Sequence, residues 1–172
     1  AVTAYAQAAK TQGVKVVLNA APAQPLPREL VEAIDVLIVN EGELAALVPQ
    51  ASSVMVNLAQ VTVACVVVTL GQRGSVARLG NNYFVQPAFE VVAVDTTGAG
   101  DTFCGALVAA LAQGDSMVLA MQKAAAAAAL ACTQPGAQAS IPTSSRVNAF
   151  LETQAMPSPE AVEALRSYCG LT

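Results

Sequence analysis

Short, nearly continuous apolar runs alternate with segments of helical period along the chain. VKVVLN (residues 14–19), DVLIVN (35–40) and ACVVVTLG (64–71) have strand length and lack polar alternation. Strands buried on both faces read this way. Between the first two lies PLPRELVEAI, a helix with Pro27 in its first turn, where a missing N–H costs little. EGELAALV, stopped by Pro49, and SSVMVNLAQV predict two more helices, and the opening AVTAYAQAAKTQG predicts a helix ending at Gly13. GSVARLG and NYFVQP flank Gly80-Asn81-Asn82, a hairpin signal. Later helices are predicted over residues 100–113 and 116–132, broken at Gly114-Asp115, and over 144–153 and 159–169.

Strands separated by helices of about 10–15 residues favour βαβ units. The expected fold is α/β: a three-layer α/β/α sandwich around a mostly parallel, Rossmann-like sheet with one antiparallel hairpin, residues 1–172 forming a single portion of one domain. Ligands of such sheets sit beyond the carboxyl ends of the strands. That rule selects Asn19, Asn40, residues 69–71 and residues 95–101.

Composition narrows the function. With 55% apolar and only 12% charged residues among 172, the chain can bury a core and is not disordered. A net charge of −4 leaves no basic stripe for nucleic acid. The longest apolar run, around residues 124–132, is mostly alanine and too short to span a membrane. The start carries no signal-peptide pattern and sits inside an α/β unit, so a preceding portion is expected. Cys65, Cys104, Cys132 and Cys169 have no CxxC spacing and read as reduced thiols of a cytoplasmic protein. There is no histidine, which removes imidazole bases and the common zinc sites and leaves carboxylates, Cys, Lys or Tyr for acid–base work.

Chemistry concentrates in DTTGAGD, residues 95–101. Gly98 and Gly100 let successive N–H groups point into one concavity, and the helix that follows adds its positive end. The turn can hold a phosphate, although it lacks the GxxxxGK[ST] of a P-loop. Asp101 is placed to act as a base and Asp95 to bind a cation; the bland alternative is a glycine turn whose Asp101 only favours the helix start. NEGE, residues 40–43, has Asn at an N-cap position with Glu three residues on, the arrangement of a capping box.

DTTGAGDTFCGAL resembles the C-terminal signature of the ribokinase-like family of ATP-dependent sugar and nucleoside kinases. LNAAPAQPLPRELVEAIDVLIVNEGELAALV and KAAAAAALACTQPGAQASIP extend the resemblance over nearly the whole chain, to the C-terminal half of that family only. The resemblance implies that Asp101 is the catalytic base and that Gly98, Ala99 and Gly100, with the Asp101 amide, form the anion hole. It implies that Asn40 and Glu43 organise Mg2+, and that Thr69, Gly71 and Gly74 lie along the ATP. Ala125 then borders the adenine pocket, with Asn19 near the nucleotide. Asp95, Thr97, Ala131, Gln134, Gly136 and Ser140 would enclose a monovalent cation, K+, largely through carbonyl oxygens. The implied reaction moves the ATP γ-phosphoryl group to a sugar hydroxyl, ribose foremost, with the N-terminal sugar-binding half and lid absent here and the isolated chain inactive. A fructokinase, a nucleoside kinase and a non-catalytic nucleotide-binding or assembly module stay open, as do a homo-oligomer and docking to the missing half.

Overall fold

The computed structural model describes residues 1–49 and 52–171. The order is α1 (Val2–Thr11), β1 (Val17–Asn19), α2 (Arg28–Ala33), β2 (Val36–Asn40), α3 (Glu41–Leu47), α4 (Val54–Gln60) and β3 (Cys65–Thr69). A 3₁₀ turn (Gly71–Arg73) leads to β4 (Gly74–Leu79), β5 (Asn82–Pro87), α5 (Ala99–Ala112), α6 (Met117–Cys132), α7 (Ser144–Thr153) and α8 (Pro159–Cys169). The five strands follow chain order across one sheet, with β1, β2 and β3 parallel. β4 and β5, adjacent and joined through Gly80-Asn81, add the hairpin. The fold is α/β with a mixed sheet, as the alternating pattern predicts.

The chain divides into two compact units, the first formed by Ala1–Leu70, Val76–Tyr83 and the chain from Arg166. Its core is Leu37, Ile38, Val39, Val66, Val67 and Val68, each at most 1% exposed. Both faces of β2 and β3 are covered, which explains their unbroken apolar sequence. At roughly 1.5–3 kcal/mol per fully buried Val or Leu, these strands dominate the stability of the unit. β1 is shorter than its run of valines predicts. The Asp35 carboxylate takes the Val16 N–H at 2.8 Å and the Lys10 ammonium at 3.2 Å, so a side chain replaces the ladder at that end. The bond from Val16, followed by Lys10, holds the Asp35 carboxyl below its ordinary range. Pro27 stands one position earlier than expected, as the N-cap of α2.

The second unit comprises Gly71–Ser75 and Phe84–Leu165. α5 and α6 pack through small side chains: Ala110, Ala120, Ala124, Ala126, Ala127 and Ala129 are buried beside Leu107 and Met121. Alanine at these positions lets the two backbones approach closely. Phe89 and Phe150 pack edge to face, centroids 5.3 Å apart, against the cluster of Ala126, Ala127 and Val147. None of the four cysteines forms a disulfide; Cys65 and Cys169 are buried, and burial pushes both thiols up, that of Cys169 to about 11. No helix among the described residues is long and apolar enough to cross a membrane.

Candidate functional site

The glycine turn of the second unit leads directly into α5. Gly98 is its N-cap with φ +76°, and a Cβ there would lie 3.2 Å from Ala137 Cα. Both the backbone conformation and the neighbouring loop therefore demand glycine. The Ala99 N–H turns back to Thr96 O at 3.2 Å, and the Thr102 N–H reaches Gly98 O at 2.8 Å. Between them, the amides of Gly100 and Asp101 have no partner among the described residues and lie in the exposed first turn of a 14-residue helix. The anion hole expected from Ala99, Gly100 and Asp101 thus narrows to two donors. Asp101 is exposed and acidic in the same first turn, so one short segment carries both a proton acceptor and anion-binding amides.

Asp95 faces the other way. Its Oδ1 accepts the Thr97 N–H and its Oδ2 the Gly136 N–H, each at 2.9 Å, while the Val94 and Asp95 amides donate to Cys132 O at 2.8 and 3.2 Å. Residues 132–136 are thereby fastened to the start of the signature. The Thr97 hydroxyl and the amides of Gly136 and Thr97 hold the Asp95 carboxyl down to about 2. A depressed value means that the ionised form makes the link: its contribution is complete above the ordinary value of 3.8 and is lost as pH falls through about 2. An NMR titration of the Gly136 amide is therefore expected to show a midpoint near 2; a midpoint at the ordinary value would mean the link is not made in solution.

The rest of the expected cation set lies at the end of α6, with Ala131, and on the loop that follows it. Ser140 is 1% exposed and its hydroxyl donates to Ala137 O at 3.0 Å, Ala131 is buried, and Gly136 is exposed with φ +89°. Gln134 differs from expectation: with its amide oxygen toward Arg146, it accepts from the two guanidinium nitrogens at 2.9 and 3.2 Å. That leaves only its backbone carbonyl to face an ion. Among the described residues no three His, Cys, Asp or Glu side chains gather into a metal cluster. The carboxylate, hydroxyl and carbonyl oxygens of the expected set are hard donors with little charge, a chemistry that would suit a monovalent cation better than a divalent one.

In the first unit, Asn40 and Thr69 are register partners at the carboxyl ends of β2 and β3. Asn40 Oδ1 accepts the Glu43 N–H and Glu43 Oε2 accepts the Asn40 N–H, both at 2.8 Å. The NEGE turn is therefore a complete capping box. The box engages one oxygen of each side chain and leaves Glu43 Oε1 for another partner, enough for an ion that keeps most of its water. Asn19 ends β1 in register with Ile38. In the second unit, Gly71 is exposed and opens the 3₁₀ turn, and Gly74 begins β4. Ala125 is buried on α6 and offers no side-chain hydrogen bond.

Two contacts have no sequence signal behind them. Arg146 gripping Gln134 looks like an ordinary helix-surface charge in sequence, and the Tyr168 hydroxyl donates to the Glu41 carboxylate at 2.7 and 2.9 Å across 127 positions.

The chain is similar to known carbohydrate kinases. The pattern of the pfkB family carbohydrate kinase matches residues 1–144. A ribokinase of Haemophilus influenzae is 43% identical over 158 residues, covering 86% of this chain and 50% of that protein. The solved Arabidopsis thaliana ribokinase, complexed with ribose and ATP, superposes with a TM-score of 0.81 at 34% identity, covering 88% of this chain and 52% of that one. The Thermotoga maritima ribokinase gives 0.79 at 35% identity, covering 87% and 52%. The chain spans about half the length of these relatives.

Proposed function

Because the chain belongs to the pfkB family of carbohydrate kinases, we propose that it is the ATP-site and catalytic-base portion of a kinase that phosphorylates a sugar hydroxyl, with ribose as acceptor. The observation that carries this reading is the pairing of an exposed Asp101 with unpartnered Gly100 and Asp101 amides in one helical turn. Phosphoryl transfer requires positioning and stabilisation of charge more than covalent chemistry. Asp101 accepts the proton of the sugar hydroxyl as that oxygen attacks the γ-phosphorus of ATP and ADP leaves. The two amides donate to the oxygens of the phosphoryl group in transit. Thr69, Gly71 and Gly74 line the nucleotide, and Ala125 borders its base by packing alone.

Asn40 and Glu43 would hold the water shell of Mg2+, which when bound neutralises charge on the β- and γ-phosphates. Asp95 and Ser140, with the carbonyls of Thr97, Ala131, Gln134 and Gly136, would hold K+ behind the glycine turn and keep the amides of α5 in place.

The test is ATP-dependent phosphorylation of ribose, fructose and adenosine by a ribokinase-length protein containing this segment, with the 172-residue chain assayed in parallel. Ribose is expected to be the best acceptor, and the chain alone is expected to leave it unphosphorylated. Transfer to none of the three by the longer protein would overturn the proposal.

A further inference from the structure

The end of the last helix, from Arg166, belongs to the first unit. α8 lies outside residues 1–144, the stretch matched by the family pattern. Its end is anchored: Cys169 is fully buried, and the Gly170 and Leu171 amides close the helix on Ser167 O and Arg166 O at 3.0 and 2.9 Å. Gly170 lies so close to Ser53, the N-cap of α4, that a Cβ on it would be 3.3 Å from the Ser53 hydroxyl. From this anchored end the Tyr168 hydroxyl bridges both oxygens of Glu41. Glu41 is the first residue of α3, directly after Asn40 and two before Glu43.

We propose that Tyr168 is a positioning residue for the Asn40–Glu43 turn, holding Glu41 aside so that Glu43 alone presents a carboxylate to the nucleotide-bound Mg2+. The inference rests on the reading of Asn40 and Glu43 given above. Its physical basis is the crowding of acids in NEGE. Two carboxylates within three residues compete for one cation, and a hydroxyl whose single proton is shared between the oxygens of the first orients it and so decides which is presented. The hydroxyl also ties the start of a seven-residue helix to a buried anchor, which steadies the capping box. Tyr168 touches neither nucleotide nor sugar in this scheme and acts through Glu41.

The experiment is calorimetric titration of the 172-residue chain with ATP at varied Mg2+, comparing the unmodified protein with Tyr168→Phe, Glu41→Gln, the double variant and Glu43→Gln. Tyr168→Phe is expected to change the Mg2+ concentration for half-maximal binding by about tenfold, the lower end for an outer-shell partner. Affinity for Mg2+-free ATP is expected to stay the same. Glu41→Gln breaks the same link, so the two changes should not add in the double variant. A wholly structural role for Tyr168 would instead lower the melting temperature and both affinities together, and that result would overturn the proposal. If Glu43→Gln shifts the Mg2+ dependence and neither Tyr168→Phe nor Glu41→Gln does, the latch alone is wrong. If Glu43→Gln shifts nothing, or the unmodified chain binds no Mg2+–ATP, the reading of the turn fails and the latch with it.

Discussion

Asp101→Asn is expected to lower the turnover of the ribokinase-length kinase by about 10²–10⁴ while leaving ATP affinity nearly unchanged, the scale of losing a positioned general base. Asparagine keeps the size and the hydrogen-bonding reach of the side chain in the first turn of α5, so the helix start and its neighbouring amides persist. The carboxylate that accepts the sugar proton is what disappears. Within these 172 residues there is no histidine to substitute for it. Asp95, the other acid of the signature, is committed through both oxygens to Thr97 and Gly136. On the proposed mechanism the Gly100 and Asp101 amides remain available to the phosphate in the variant, so binding and chemistry should separate. Steady-state kinetics with ribose, together with calorimetry of ATP binding, decide it: an unchanged kcat removes Asp101 from the mechanism.

What the sequence disclosed depended on how far apart the cooperating residues lie. β2 and β3 were readable because burial on both faces leaves no polar position to confuse the pattern, as Leu37 and Val67 illustrate at 0% exposure. β1 was overextended because Val14 and Val16 resemble strand residues, while the Asp35 carboxylate that ends the pairing comes from 19 positions away. The glycine turn was legible because its chemistry is local: Gly98, Gly100 and Asp101 need only one another and the helix they open. The engagement of Ala99 with Thr96 carries no sequence signal, since a turn signature specifies conformation but not which amide closes it. The Asp95 to Gly136 link spans 41 positions, and its loop was located only through family resemblance. Tyr168 belongs to no motif, and nothing short of the fold could bring it to Glu41.

Gly74→Ala is expected to damage the fold more than any other single-methyl addition at the predicted nucleotide site. Gly74 opens β4 with φ +115°, a conformation that costs a residue with a side chain on the order of 1–3 kcal/mol. The added Cβ would also meet backbone rather than movable side chain: Gln86 O at 2.1 Å, Ala88 N at 2.7 Å and Pro87 C at 2.8 Å. Relief requires the end of β5 to move, and overpacking of this kind costs roughly a further 1–3 kcal/mol. The combined loss, about 2–6 kcal/mol, is a large share of the 5–15 kcal/mol typical of a whole protein. A melting temperature lower by roughly 4–24 °C follows for a chain of this size. Gly71 provides the contrast. It too has positive φ, at +59°, but a Cβ there meets nothing within 4 Å, so Gly71→Ala bears only the conformational term. Thermal unfolding of the two variants side by side separates steric clash from backbone strain. Equal losses would mean that β5 yields to the new methyl group, and that Gly74 is present for its conformation alone.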